Sequence, residues 1–501
     1  MSTTIQRGKI KKTLSPSVIR NIVEPNIKGD MDHSYQTYLD LNKAHVVMIA
    51  KQGIIDKAVA KEILKVTKEM ADMGDQPNFP IDPALEGVYF NLEKYLIDRT
   101  GIEIGGQQHT ARSRNDMNAT MSRMDARRFY LKLCEKFNLM RRAILETARK
   151  NTDAVMAGYT HLQPSEPITF AHYCSGILAG LDRDYSRLSH VFANMNICPM
   201  GGGSMGSTTW NIDRQLMSDL LGFDKPMDNS VDAIGSRDFA LELLSALAIL
   251  GNTLSRFCHD LYVWATPEYG YIEVDDSVAI CSSIMPQKKN PYTLEYIKGK
   301  CGNIEGFYVG SYATMKNTPY TNVCDVCGES TRYIYTAMSE MQGCFELMID
   351  TISTLKTNKE RMLNNARGNF CTVTELANSL VRHDHISFRA AHEIVALVVD
   401  HMISTGKRSN EITKADVDQF FMQLFGKQTG LSNEEIQMAL DPLKNAESKN
   451  ILGGTSQAEV NRQLDARLKQ IQSDEIQLAA WIKQVEGAKA RMEEEVNSLI
   501  Q

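Results

Sequence analysis

The chain lacks any excess of positive charge. Its 501 residues carry 55 lysines and arginines against 61 aspartates and glutamates, a formal charge of -6, and no lysine or arginine run is interleaved with aromatics. The electrostatic footprint of a nucleic-acid binder is therefore missing, and any cationic site for an anionic substrate must be local. Apolar runs are short, so no segment is expected to act as a transmembrane helix. The N-terminal stretch MSTTIQRGKIKKTLSP is charged but is followed by no apolar region, which argues against a secretory signal or membrane anchor. Strict apolar–polar alternation, the mark of half-buried strands, is scarce, and neither tandem repeats nor low-complexity segments occur. Ten cysteines are scattered along the chain. Without a secretory signal they read as reduced thiols of a cytoplasmic protein, most of them small buried hydrophobes.

What is present is an ordinary globular balance, 43% hydrophobic and 23% charged residues, which sets aside disorder, collagen and coiled-coil fibres. A chain this long exceeds what one core usually supports, so two or three domains are expected. Leu133, Phe137, Met140 and Ile144 recur at steps of four, three and four, as do Leu243, Leu247, Leu250, Leu254 and Phe257. Such seams suit long helices packed side by side. Pro164, Pro167 and Gly201–Gly203 punctuate the middle of the chain, and about twenty residues from Gly270 to Pro291 break the helical pattern, a length of loop that is usually functional. Leu464, Leu468 and Ile471, then Leu478, Ile482 and Val485, suggest terminal helices. The expected organisation is an all-α, three-domain protein with units 1–117, 118–368 and 369–501.

Three segments concentrate polar chemistry. Cys281 to Pro291 reads CSSIMPQKKNP, placing two hydroxyls, two ammonium groups and an amide in one loop. Backbone N–H groups and a lysine can together stabilise an oxyanion, although a solvated lysine loop has the same composition. Thr110 to Thr120 reads TARSRNDMNAT. Its Arg112 and Arg114 could clamp carboxylates, or the segment could simply start a helix with Ser113 or Asn115 as cap. Gly158 to Pro167 reads GYTHLQPSEP and offers Thr160 beside His161, a proton-exchanging group beside a hydroxyl, where a lone histidine is more often structural.

Taken together and in this order, the three segments resemble the signature regions of the aspartase/fumarase superfamily, in the spacing of its argininosuccinate lyase branch. The resemblance covers roughly residues 30 to 455, including Ser236-Arg237-Asp238. It implies a mostly helical fold with a long central bundle, and a homotetramer whose active sites are each shared among three subunits. It also implies a carbon–nitrogen lyase that releases fumarate from an N-substituted aspartate. By residue-for-residue matching, Ser282 would be the base, Ser283 would help hold a carboxylate, and Lys288 and Asn290 would stabilise the aci-carboxylate intermediate. His161 would be hydrogen-bonded to Glu295 and is a candidate acid, while Thr160, Arg112, Ser113, Arg114 and Asn115 would grip the fumarate half. No metal or cofactor is implied, and neither nucleic acid nor membrane is an expected partner. The same fold also serves as a lens crystallin, a non-catalytic alternative that retention of Ser282, Lys288, Asn290 and His161 disfavours.

The sequence departs from that branch at informative places. Cys281 stands where a glycine usually precedes the two serines, Met117 and Asn118 follow SRND in place of Gln-Val, and the usual EDIH appears as Glu86, Gly87, Val88 and Tyr89. The arginine-gripping YNxDxQEDK falls on Asn322 to Ser330, so tyrosine, glutamine and lysine become Asn322, Cys327 and Ser330, with Asp325 retained. A buried site stripped of donors for a distal polar group should reject a substrate that presents one. The pattern points to retained reaction type with altered amine specificity, as in the related ethylenediamine-N,N'-disuccinate lyases, with argininosuccinate as the alternative substrate. Cys324 and Cys327 form CDVC, a spacing shared by redox pairs and half zinc sites, but with no second ligand pair nearby the simpler reading is two incidental thiols.

Overall fold

The computed structural model describes residues 12–501; the first eleven residues, the start of the charged N-terminal stretch, lie outside it. The described residues fold mainly into helices, and four two-stranded pairings are the only sheets among them. The principal elements are α1 (Tyr35–Lys51), α2 (Lys57–Asp72), α3 (Val88–Thr100), α4 (Arg114–Arg149), the hairpin β1 (Val155–Thr160) and β2 (Gln163–Thr169), and α5 (Phe170–Met195). After a glycine-rich loop come α6 (Asp238–Trp264), the short strands β3 (Ile280–Cys281) and β4 (Lys289–Asn290), α7 (Tyr292–Met315) and α8 (Ile334–Thr354). Then follow α9 (Val373–Asp384), α10 (Phe388–Ser404), α11 (Lys414–Phe425), α12 (Asn433–Leu440), α13 (Pro442–Ser448) and α14 (Gln457–Ile500).

The central bundle is built from α4, α5, α6, α7 and α8, with α14 laid against it. Both seams read from the sequence are fully buried within it. Phe137 stacks on Phe345 of α8 with ring centroids 5.1 Å apart, and Trp481 of α14 stacks on Phe192 of α5 at 4.1 Å. A second core joins α1, α2 and α3 to Met117 and Met121 at the start of α4 and to Met492 and Val496 at the end of α14. A third lies within α9 to α12.

Two expectations are corrected here. The C-terminal pattern yields one helix of 44 residues, about 66 Å at 1.5 Å per residue, and not several. The polar interruption Gln472–Glu475 stays helical because its side chains serve the bundle: Asp474 is buried against Arg141. By length and composition α6 does suffice to cross a membrane. Its Leu243, Leu247, Leu250, Leu254 and Phe257 instead complete the protein's interior.

A buried ionic cluster ties three helices together. Arg141 of α4, wholly buried, donates to Asp182 of α5 and, at 2.7 Å, to Asp474 of α14, while Arg467 reaches the other oxygen of Asp182. Removing one partner from such a cluster leaves charges buried without compensation. Arg141→Ala is expected to destabilise the fold by about 3–5 kcal/mol. Arg142→Ala, which breaks the half-exposed pair with Glu475, should cost less than about 1 kcal/mol. Chemical denaturation of both variants checks this, and equal midpoints would show that the buried cluster does not hold the bundle.

Candidate functional site

One end of the bundle is organised by the start of α4. Ser113 is its N-cap, in extended backbone with φ -131°, and its hydroxyl accepts from Asn115 N at 3.2 Å. Asp116 completes a capping box by accepting from Ser113 N at 2.9 Å. The other oxygen of Asp116 accepts from Gly201 N at 3.1 Å and Gly203 N at 2.9 Å, so this fully buried carboxylate fastens the glycine-rich loop to the helix start. Gly203 has φ +62°, and a Cβ there would lie 2.4 Å from Ser207 O, so no other residue fits. Burial raises the Asp116 pKa against the lowering effect of these backbone donors.

Asn115 stands at the centre of this corner. Its Nδ2 donates to Ser204 O at 3.2 Å, and its Oδ1 accepts from Asn322 Nδ2 at 3.1 Å. Two segments more than 200 residues apart thus meet where the sequence placed ligand groups in each. Arg114 is half-exposed, its guanidinium 4.6 Å from the Phe90 ring centroid and 3.8 Å from Glu86. Arg112 turns the other way. It is buried, donates to Asn42 Oδ1 at 2.8 Å, and sits near His109, which is hydrogen-bonded to Tyr89 at 2.6 Å. Burial, together with the Arg112 and Arg114 charges, lowers the His109 pKa to about 4, so the imidazole is neutral near pH 7. Arg112 is therefore placed to support the corner and not to line it.

The segment after Asn322 forms a single wide helical turn, Asp325–Glu329, with Asp325 exposed. Ser330, aligned with a substrate-gripping lysine in the sequence reading, is fully buried and donates to Val326 O at 2.8 Å. Its hydroxyl is spent inside the fold.

The remaining candidates gather at the opposite end of the bundle. Thr160 and His161 are exposed at the tip of the β1–β2 hairpin, where Thr160 pairs with Gln163 across a two-residue turn. His161 has φ +54° and Leu162 φ +57°. This turn shape ordinarily demands Asn or Gly, so two side chains in left-handed backbone mark a strained, over-determined position. The hairpin is braced by Lys449, which pairs with Glu166 at 2.6 Å, and by the Tyr159–Tyr271 hydroxyl contact at 2.6 Å.

The loop Cys281 to Pro291 is closed at its base by β3 pairing with β4. Ser282 N donates to Lys288 O at 3.3 Å, and Lys288 N donates to Met285 O at 3.0 Å. Most telling is the Ser282 hydroxyl oxygen, which accepts from Ile284 N at 3.3 Å and Met285 N at 3.1 Å. Two N–H dipoles aimed at one oxygen favour its anionic form. Lys289 is committed elsewhere, to Asp276 at 2.6 Å and Glu273 at 3.0 Å. The Lys288 ammonium has no ion-pair partner among the described residues, and Ser283 is likewise exposed. Asn290 ends β4, and Glu295 is exposed in the first turn of α7. No hydrogen bond joins His161 to Glu295 within one chain among the described residues.

Helix length explains this separation. Ser113 precedes, and the hairpin follows, a helix of 36 residues, about 54 Å long. The loop bearing Ser282 follows α6, whose N-terminus is held at the Ser113 end by Arg123 donating to Ser236 at 3.3 Å, so it too lies at the hairpin end. Within one chain, Ser113, Arg114, Asn115, Asn322 and Asp325 are brought to one end. Thr160, His161, Ser282, Ser283, Lys288, Asn290 and Glu295 are carried to the other. Sequence reasoning missed the hub role of Asp116, although the Ser-x-x-Asp spacing of a capping box was its signal.

Comparison with known proteins agrees with this architecture. Residues 28–306 match the lyase family model, and residues 370–447 match the model of the argininosuccinate lyase C-terminal region. Argininosuccinate lyase 1 of Shouchella clausii is 44% identical over 467 residues, 93% of this chain and 94% of that protein. Argininosuccinate lyase of Methanocaldococcus jannaschii is 35% identical over 464 residues, 93% and 92% of the two chains. Among solved structures, EDDS lyase in complex with formate superposes with a TM-score of 0.87 at 29% identity, over 98% of this chain and 97% of that one. An EDDS lyase variant with bound fumarate matches equally well. An all-α bundle with these two ends, matched over nine-tenths of its length by such relatives, belongs to the argininosuccinate lyase family of the aspartase/fumarase superfamily, the fumarate-forming carbon–nitrogen lyases.

Proposed function

We propose that this lyase cleaves an N-substituted aspartate whose leaving amine is not arginine, releasing fumarate. The observation that carries the chemistry is the Ser282 hydroxyl oxygen facing two backbone N–H groups beside an uncommitted Lys288. A serine is a weak base at its ordinary pKa, and those donors with a nearby ammonium are what its anion requires. Ser282 removes a proton from the carbon adjacent to the one bearing nitrogen. The electron pair moves into the neighbouring carboxylate, where Lys288 and Asn290 stabilise the added charge. Collapse of that aci-carboxylate breaks the carbon–nitrogen bond, and the departing nitrogen takes a proton, for which His161, oriented by Glu295, is the candidate donor. Thr160, Ser113, Arg114, Asn115 and Ser283 hold the carboxylates, and Arg112 keeps the Ser113 corner in place.

These groups act together in a homotetramer, with each site composed from three subunits. Its support is the helix-length separation of the two ends and the surface of α7. On α7, Tyr296, Val309 and Tyr312 are about half exposed, while Gly299, Gly302 and Gly306 face open space. Exposed apolar side chains gathered on one helix are normally covered, and small residues permit close helix contact. We place the protein in the cytoplasm, in keeping with ten cysteines that are all free.

The amine preference rests on Asn322, Asp325 and their surroundings. Asn322 is engaged with Asn115, and Ser330 is turned inward, so neither is free to grip an arginine end in place of the tyrosine and lysine of the family pattern. Asn322 and Asp325 would instead face a different amine, such as that of a diamine disuccinate. A second reading, argininosuccinate itself, is favoured by the 44% identical relative that bears that activity in its name.

Ser282→Ala is expected to lower turnover by at least about 10²- to 10⁴-fold while leaving unfolding unchanged within about 0.5 kcal/mol. Glu295→Gln should retain more activity because it perturbs only the orientation of the histidine. Fumarate formation followed by absorbance checks both, and near-normal rates for Ser282→Ala would reject the base. Each missing donor to a buried group costs about 1–3 kcal/mol, so argininosuccinate should be cleaved orders of magnitude more slowly than a diamine-derived disuccinate. Steady-state kcat/KM values measured side by side decide this, and a wide preference for argininosuccinate would favour the second reading.

A further inference from the structure

Seven of the ten cysteines are buried. The three that are not are Cys281, beside Ser282, and Cys324 and Cys327, which follow Asn322. Accessible thiols are thus confined to the two segments that the proposed function brings to one site. Among the described residues no group of three or more histidines, cysteines or carboxylates could hold a metal ion, so what the fold presents at Cys324 and Cys327 is a thiol pair.

The pair sits at the start of one wide turn, in which Val326 N and Cys327 N both donate to Val323 O at 2.9 Å. Side chains three residues apart on a helical turn have Cβ atoms about 5–6 Å apart. A disulfide needs about 3.8 Å. Closing the gap takes a shift of roughly 1–2 Å, which a single turn held by few hydrogen bonds can absorb where a long helix could not. Cys324 is exposed, whereas Cys327 is half-buried, and burial raises its thiol pKa against the partial lowering by the nearby Arg237 guanidinium, so Cys324 is the thiol placed to react first.

We propose that Cys324 and Cys327 form a reversible disulfide that switches the lyase off. The oxidant is a low-molecular-weight disulfide. The Cys324 thiolate attacks one of its sulfurs, forming a mixed disulfide and expelling one thiolate. Cys327 then attacks the Cys324 sulfur, forming the internal bond and expelling the second. Two cysteine thiols lose two protons and two electrons, and the oxidant leaves as two thiols. The bond is felt at the site because Asn322 lies two residues before Cys324 and holds Asn115 at 3.1 Å. Misplacing a substrate-orienting group by about 1 Å can cost roughly 10²-fold in rate. This inference rests on the proposed function in taking the Asn115–Asn322 corner as part of the site.

The test uses the full-length assembled enzyme, incubated with hydroxyethyl disulfide and then with dithiothreitol. Lyase activity is read together with peptide mass mapping. Wild type should lose at least about tenfold in rate as the peptide holding Cys324 and Cys327 loses the mass of two hydrogens, and dithiothreitol should reverse both. Cys324→Ser and Cys327→Ser should each be insensitive, while Cys281→Ser should respond like wild type. Failure of the internal bond to form, a bond that forms with activity unchanged, or a response abolished by Cys281→Ser would each overturn the proposal. Absence of lyase activity in the fully reduced protein would count against the proposed function instead, and the mass map would still judge the thiol pair.

Discussion

The length of α4 is the constraint on which the rest depends. A 36-residue helix sets about 54 Å between the Ser113 corner and the hairpin that bears His161, and the two ends share no hydrogen bond among the described residues. The helix is held in the bundle by the seam of Leu133, Phe137, Met140 and Ile144 and by Arg141 reaching two carboxylates on neighbouring helices. Rigidity of this kind positions groups well but cannot bring its own two ends together. Each end is therefore finished locally: one by Asp116 gathering three backbone N–H groups, the other by the closed loop around Ser282.

In the proposed mechanism the two ends divide the chemistry. The Ser113 end offers neutral amides and one half-exposed arginine, suited to holding carboxylates and choosing the amine. The hairpin end offers an oxygen facing two N–H donors, a lysine with no ion-pair partner among the described residues and an exposed histidine, to which the proposed mechanism gives the movement of protons. Preorganisation costs backbone strain at His161 and Leu162, where two side chains occupy left-handed backbone. That strain is tolerated because Lys449 and the paired tyrosines brace the hairpin from behind.

Much of this was legible in the sequence, for identifiable reasons. Seams with a 3.5-residue repeat can satisfy only long packed helices, and every member of the two central seams is buried. The three chemical segments were visible because their polar residues serve no packing purpose. The hairpin was not visible: Pro164 and Pro167 read as punctuation, and a His-Leu turn breaks the Asn-Gly rule by which hairpins are recognised. The C-terminal helix was divided because Gln472–Glu475 interrupts its apolar pattern, and only the structure shows Asp474 used from within. The inward turn of Ser330 was not legible either. Counting along the chain aligned it with a binding residue, while the wide turn before it rotates its hydroxyl into the protein.

The central claim is that the Ser113 end of one subunit works with the Ser282 end of another. It is tested most directly by mixing Ser282→Ala protein with Asn115→Ala protein after dissociation and reassembly, and measuring fumarate formation. If two chains complete each site, random pairing of subunits should restore activity toward about a quarter of the wild-type value, although each parent is nearly inactive. Mixed assemblies no more active than their parents would show that both residues serve the same chain's site, and would contradict the account.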